Sequence, residues 1–283
     1  MQKRGTCFKN LNLPTTPGIY RIFNVAGELI YVGKAKNLRR RLGQYKNAKR
    51  TKKHRKMRLI VSEADRVETE DCSSDLDAYL LEAKLIQELR PKWNTAGAFH
   101  FMYPLIGIRS RGDTTDFCFT TQPEAFSDFY FHGCYRSRWF TGNGFFALMK
   151  LLQYVGHRSK AKDTQVKYSY VYSFRKLPDG WTQHLNSFFK GESKEFLEHL
   201  VMALIENRGA RTKGKDTQKN LNMLARFWKF EAKAVANART TLGLSVYPIP
   251  QKERDFLFLK YRFAKMSKAA SKSKSKLPAQ ARV

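Results

Sequence analysis

Pro17-Gly18-Ile19-Tyr20-Arg21-Ile22-Phe23, then Leu29-Ile30-Tyr31-Val32-Gly33-Lys34-Ala35-Lys36-Asn37-Leu38-Arg39-Arg40-Arg41-Leu42, is the stretch that decides the fold of this chain. Ile19, Tyr20, Ile22 and Phe23 form one β-rich run, and Leu29 to Val32 form a second. Asn24 to Glu28 lie between them, with Gly27 free to take positive φ, so residues 17–33 read as a hairpin. Leu38, Leu42 and Tyr45 then recur at helical spacing, which predicts a helix over 36–46.

Outward from this core, a helix is expected over Arg55–Ala64 and a strand over Arg66–Glu70. Ser74 and Asp75 supply N-cap chemistry for a third helix through Glu88, with Leu81, Leu85 and Leu89 as its apolar face and Pro91 beyond its end. The fold class is α+β: a small domain over 1–98, a short antiparallel β-sheet flanked by helices. A middle region over 99–180 follows, with a strand at Tyr103–Ile108, a helix at Phe145–Val155 and a polar linker at 158–180. Residues 181–262 read as a mostly helical region, with helices near 193–207 and 218–238 and a loop at Arg208–Gly214. Phe196, Leu197, Leu200, Val201, Leu204 and Ile205 mark one apolar face; Leu221, Leu224, Ala225, Trp228 and Val235 mark the other. Residues 263–283 are expected to be a disordered basic tail of Lys, Ser and Ala.

The chain carries 53 Lys and Arg against 24 acids, a net charge of +29. Such an excess repels itself unless a polyanion is near, and nucleic acid is the commonest such partner. Between Lys34 and Arg58 lie 13 Lys or Arg residues and no acid. Lys36, Arg39, Arg40, Lys52, Lys53, Arg55 and Arg58 of this run are expected to follow the DNA backbone without reading its sequence. Cys7, Cys72, Cys118 and Cys134 have no metal-ligand spacing and are expected to be free thiols of a soluble cytoplasmic protein. No apolar run suggests a signal peptide or a membrane span.

Phosphodiester hydrolysis needs a base, a cation for the phosphorane charge and a stabiliser for the leaving oxygen. Residues 18–94 can supply them. Tyr20 and Tyr31 sit on the two hairpin strands, Arg41 and Tyr45 share a helix face, and Glu82 is an acid among apolar residues.

These segments resemble the GIY-YIG endonuclease family, and more narrowly the N-terminal nuclease domain of the bacterial excinuclease UvrC. The resemblance continues through Asp77-Ala78-Tyr79-Leu80-Leu81-Glu82 and Arg90-Pro91-Lys92-Trp93-Asn94, in family order and near family spacing. Val32 stands where isoleucine is commoner. The resemblance implies that Glu82 holds one divalent cation, Mg2+ or Mn2+. It implies that Tyr31, Lys34 and Tyr45 line the site around the attacking water and that Tyr20 is the other signature tyrosine. Arg41 would contact the scissile phosphate or leaving group, and Asn94 would buttress the site. The identity of the base stays open, with a tyrosine of lowered pKa preferred.

A weaker similarity to the same family runs through Tyr103–Ile106, Gly133–Tyr135 and Leu148–Val155. Phe189 to Phe196 resembles the start of a helical hairpin that in full-length UvrC proteins contacts the damage-loading excinuclease protein UvrB, and Phe230-Glu231 echoes its second helix. The cysteine cluster often seen after the nuclease domain in full-length members is not found here, and no second nuclease is expected in a chain of this length; the short excinuclease Cho homologues are of this size and keep only the 3′-side nuclease. The implied function is the 3′-side incision of damaged double-stranded DNA in bacterial nucleotide excision repair, close to the nucleoid, with UvrB as partner. A free-standing structure-selective or mobile-element nuclease and a non-catalytic DNA-binding module are the alternatives.

Overall fold

The computed structural model describes residues 6–8, 13–48, 51–95, 98, 102–158, 164–175 and 177–275. Two compact units emerge, Met1–His100 with Asp255–Val283, and Phe101–Arg254.

The first unit is built on a three-stranded antiparallel sheet. Strands β1 (Gly18–Phe23), β2 (Leu29–Ala35) and β3 (Arg66–Asp71) lie in the order β2-β1-β3. Gly27 takes φ 77° in the β1–β2 turn, as the hairpin reading requires. Helix α1 (Leu38–Lys46) starts at Asn37, whose side chain accepts the Arg40 amide. It buries Leu38, Leu42 and Tyr45 on the sheet. Helix α2 (Arg55–Glu63) precedes β3, and helix α3 (Asp75–Leu89) is capped by Ser74.

The apolar face expected for α3 is kept only in part: Leu85 packs against the Val32–Ile86 cluster. Leu89 is 53% exposed, whereas Ala78 and Ile86 are buried. Asp75, Tyr79, Glu82 and Ile86 fall at i, i+4, i+7 and i+11, so one stripe of the helix carries the polar site residues and the Ile86 contact with Val32 of β2.

The chain returns to the first unit through α10 (Arg254–Ser275). Its Phe263 ring meets Tyr79 edge-on, and Gln87 donates to Asp255. The helix extends beyond Lys265, where the composition turns repetitive; Ala and Lys favour a helix once one has begun. Residues 276–283 of the expected tail lie outside the described residues.

The second unit holds a four-stranded antiparallel sheet in the order β6-β4-β5-β7, from β4 (Leu105–Arg111), β5 (Thr114–Thr120), β6 (Tyr130–His132) and β7 (Tyr170–Phe174). Strand β7 occupies the stretch read as a polar linker. Its Val171, Ser173 and Phe174 are buried by pairing with β5. Helix α4 (Arg138–Leu152) begins seven residues before the predicted start, because Ser137 caps it and its glycines serve packing. A Cβ on Gly144 would stand 2.4 Å from Cβ of Phe227.

Helices α5 (Trp181–Lys190), α6 (Glu195–Glu206), α7 (Arg208–Thr212), α8 (Gly214–Phe227) and α9 (Lys233–Leu242) complete the unit, with a π-turn at Trp228–Ala232 joining α8 to α9. Helix α7 replaces the loop expected at Arg208–Gly214, since Asn207 accepts the Ala210 amide and starts a turn. Phe189, Phe196 and Leu200 are buried, so this part of the hairpin-like segment serves the core. The Glu231 carboxylate is buried too. It accepts the Arg136 and Ser137 amides at the start of α4.

Candidate active site

Strand β2 is an edge strand, and its outward backbone groups need partners. The Trp93 amide donates to the Ile30 carbonyl at 3.0 Å. The buried Asn94 side chain then acts as a short substitute strand. Its Oδ1 accepts the Val32 amide and its Nδ2 donates to the Val32 carbonyl, both at 2.8 Å. The next outward amide, that of Lys34, donates to the Glu82 carboxylate. One strand edge thus ties Asn94 and Glu82 to the same backbone. We expect Asn94→Ala to orphan both Val32 groups and lower stability by about 3 kcal/mol in denaturant titration. An unchanged midpoint would remove Asn94 from this bracing role.

Glu82 is half-buried on α3. Burial pushes its carboxyl up to about 7, against the pull of Lys34, Arg41 and Lys56 and the Lys34 amide bond. Lys34 Nζ lies 3.0 Å over the Tyr79 ring and 3.8 Å from Asp75, and Lys36 also reaches Asp75 at 3.4 Å. Burial lowers the Lys56 ammonium, with Glu82 opposing. Its Nζ stands 5.2 Å from the Tyr31 ring centroid.

Behind this group lies a tyrosine network. Tyr20 and Tyr45 share a hydrogen bond of 3.1 Å between their hydroxyls, and Arg41 Nε donates to the Tyr20 hydroxyl at 3.1 Å. Tyr45 stacks on Phe8, whose ring centroid is 5.2 Å away. Gly33 makes room for the Tyr20 ring: a Cβ there would stand 2.4 Å from the Tyr20 hydroxyl. Burial drives both phenols well above the ordinary tyrosine value. At neutral pH they are protonated and act as hydrogen-bonding groups. The lowered tyrosine pKa preferred from sequence is therefore not found at either. Burial works against the Arg41 charge, but the neighbouring Tyr20, Tyr45 and Tyr31 more than offset it.

Tyr31 has a different setting. It is half-buried and lines a cleft of about 730 Å³ together with Arg39, Arg40, Arg41, Tyr45 and Lys56. Arg39 and Arg40 are exposed on the rim, with Arg39 Nε anchored to the Leu13 carbonyl at 2.8 Å. Lys36, Lys52 and Arg55 are exposed and Arg58 is half-buried; the Lys53 side chain lies outside the described residues. The structure joins Tyr20, Tyr31, Arg41 and Tyr45 by hydrogen bonds and ring contacts and ties Lys34 to Glu82, which also feels the Arg41 and Lys56 charges, while Asn94 braces β2 from its free edge. Sequence reading missed three neighbours. Lys56 belongs to the same basic run, and Asp75 and Tyr79 share the Glu82 stripe, so the i, i+4, i+7 spacing carried the signal.

Residues 16–95 match the family model of the UvrC-like GIY-YIG domain. The UvrABC system protein C of Chlorobium chlorochromatii is 43% identical over 101 residues, 35% of this chain and 16% of that protein. That of Francisella philomiragia is 42% identical over 99 residues, 34% of this chain and 16% of that protein. The GIY-YIG N-terminal endonuclease domain of UvrC from Thermotoga maritima, solved bound to its catalytic magnesium, is 42% identical. It covers 30% of this chain and 90% of its own, with a TM-score of 0.27. The chain thus spans about a sixth of the length of the curated relatives it matches. Residues 16–95 form a UvrC-like GIY-YIG domain.

Proposed function

We propose that this chain is a metal-dependent DNA endonuclease that hydrolyses one phosphodiester with a single Mg2+ or Mn2+ held by Glu82. Its cut is the 3′-side incision in excision repair of damaged double-stranded DNA, in the bacterial cytoplasm at the nucleoid. The observation that carries this reading is Glu82, an acid half-buried among Lys34, Arg41 and Lys56 with its carboxyl raised to about 7. A carboxylate so poorly solvated gains from a cation in direct contact. A hard divalent ion suits an oxygen ligand, and its remaining positions would go to water and phosphate.

Bound there, the cation would neutralise charge on the phosphorane and acidify water. The chain's own groups do the rest. Arg41, held by Tyr20, is placed to donate to the scissile phosphate or leaving oxygen. Tyr31, whose ring lines the cleft, would orient the attacking water and, once its own hydroxyl proton has left to solvent, accept the water's proton as a phenolate. Lys34 holds positive charge beside Glu82, and the Tyr20–Tyr45 pair fixes Arg41. Arg39, Arg40 and the α2 cations supply backbone contacts.

Phosphate contacts carry no information about damage, so selection of a lesion falls to a partner or to the lesion's own shape. The excinuclease protein UvrB is the partner we propose. Phe196 and Leu200 are core residues, so docking on α6 would use its exposed Met202 and Ile205. The test is incision of a lesion-bearing duplex in Mg2+ or Mn2+, with purified UvrA and UvrB added or withheld. We expect weak cutting alone and strong 3′-side cutting with UvrB preloaded on the lesion. Efficient lesion-specific cutting without any partner would overturn the excision-repair reading in favour of a free-standing structure-selective nuclease.

A further inference from the structure

The second unit exposes aromatic rings that its core does not use. Trp139 is 57% exposed, Tyr168 62% and Phe230 46%. Trp139 and Phe230 are joined through Phe140. Trp139 meets Phe140 edge-on at 4.8 Å, and Phe140 meets Phe230 at 5.4 Å. Cations are interleaved with them: Arg226 over Phe140 at 5.5 Å, Lys229 over Phe230 at 5.4 Å and Arg138 over Tyr168 at 4.9 Å. Tyr168 also holds φ 63°, a left-handed conformation that bulky residues rarely adopt. Strain of this kind collects where a side chain is held out for use.

A cationic ridge runs up to this ledge. Lys215, Lys219, Asn222 and Arg226 are spaced by four, three and four residues along α8, so they share one face. With Gln218 and Met223 they line a groove of about 600 Å³. From Asn207 to Phe230 there are seven Lys or Arg residues and one acid, Asp216. Among the described residues, none of Arg138, Lys219, Arg226 and Lys229 forms an ion pair.

We propose that this surface binds single-stranded DNA, with unpaired bases stacked on Trp139, Phe230 and Tyr168 and phosphates along the Lys215–Arg226 face. Duplex needs cations alone, because its bases are already stacked on each other. A cationic groove opening onto exposed rings fits unstacked bases, since every base offers a π-face. Arg138, Arg226 and Lys229 set the charge complementarity that selects a polyanion over an apolar protein surface. The inference shares with the nuclease reading only the premise that the chain meets DNA.

The test is fluorescence anisotropy of the full chain in EDTA, with a labelled oligothymidylate and a duplex of equal length. Cleavage plays no part in this readout, so failure of the nuclease reading leaves it intact. We expect Trp139→Ala/Phe230→Ala to weaken single-strand binding roughly tenfold to a hundredfold and to leave duplex binding unchanged. Trp139→Phe should restore most of the loss at that position. Lys219→Gln/Arg226→Gln should reduce the single-strand salt slope by about 1.4. Both rings are exposed, so circular dichroism should confirm that the double variant is folded. Wild-type single-strand affinity in that folded variant would overturn the proposal, as would equal losses on single strand and duplex.

Discussion

Glu82→Gln should lower cleavage at least roughly a thousandfold in Mg2+, because an amide keeps the shape of the side chain and loses the charge that holds the cation. DNA binding should persist, since the proposed phosphate contacts lie in the basic run over Lys34 to Arg58 and not at Glu82. The same variant should change stability in the opposite sense. In the wild type the Glu82 carboxyl is raised to about 7 by burial. Between the unfolded carboxyl value and about pH 7, the native state keeps a proton that the unfolded state has released. Stability therefore falls as pH rises through that window. The glutamine variant escapes this loss. In EDTA it should equal the wild type near pH 4 and exceed it by up to about 3 kcal/mol at pH 8. Thermal melts across pH measure the second effect, and single-turnover cleavage measures the first. In the wild type, Mg2+ affinity should drop below pH 7 as Glu82 takes up its proton. Full cutting by the variant would remove Glu82 as the metal ligand. A pH-independent stability difference would remove burial as the cause of its raised carboxyl.

Gly33→Ala is expected to be the other severe change. The added methyl would stand 2.4 Å from both Cζ and the hydroxyl of Tyr20, and 2.8 Å from Cε1 of Tyr31. Tyr20 is fully buried on the central strand and cannot yield without losing its bonds to Tyr45 and Arg41. Overpacking of this kind costs about 1–3 kcal/mol. The larger effect falls on catalysis. The methyl strikes the ring that holds Arg41 and the ring that lines the cleft, and a shift of about 1 Å in such groups costs on the order of a hundredfold in rate. We expect cleavage to fall by that factor with DNA affinity unchanged, read by single-turnover cleavage beside anisotropy. Wild-type rates would show that the Tyr20–Arg41 placement is not needed for cutting.

Sequence by itself determined the hairpin, α1, α2, β3 and α3, because each has its own local cause. Ile and Tyr runs favour strands, Gly27 suits a turn with positive φ, and Asn37 and Ser74 accept the first free amides of their helices. It also singled out Tyr20, Tyr31, Lys34, Arg41, Tyr45, Glu82 and Asn94, through residue type and motif spacing. Their partners were decided only in three dimensions. Asn94 meets Val32 across 62 residues and Tyr20 meets Tyr45 across 25, distances over which local propensity is silent. The raised carboxyl of Glu82 is a product of burial, and burial belongs to the packed fold. Strand β7 hid in a polar stretch because its order comes from pairing with β5. Helix α4 hid behind Gly142 and Gly144, weak helix formers kept because Gly144 lets Phe227 approach. The return of α10 to Tyr79 rests on a contact between Phe263 and a residue 184 positions earlier in the chain, made by the packing of the folded unit.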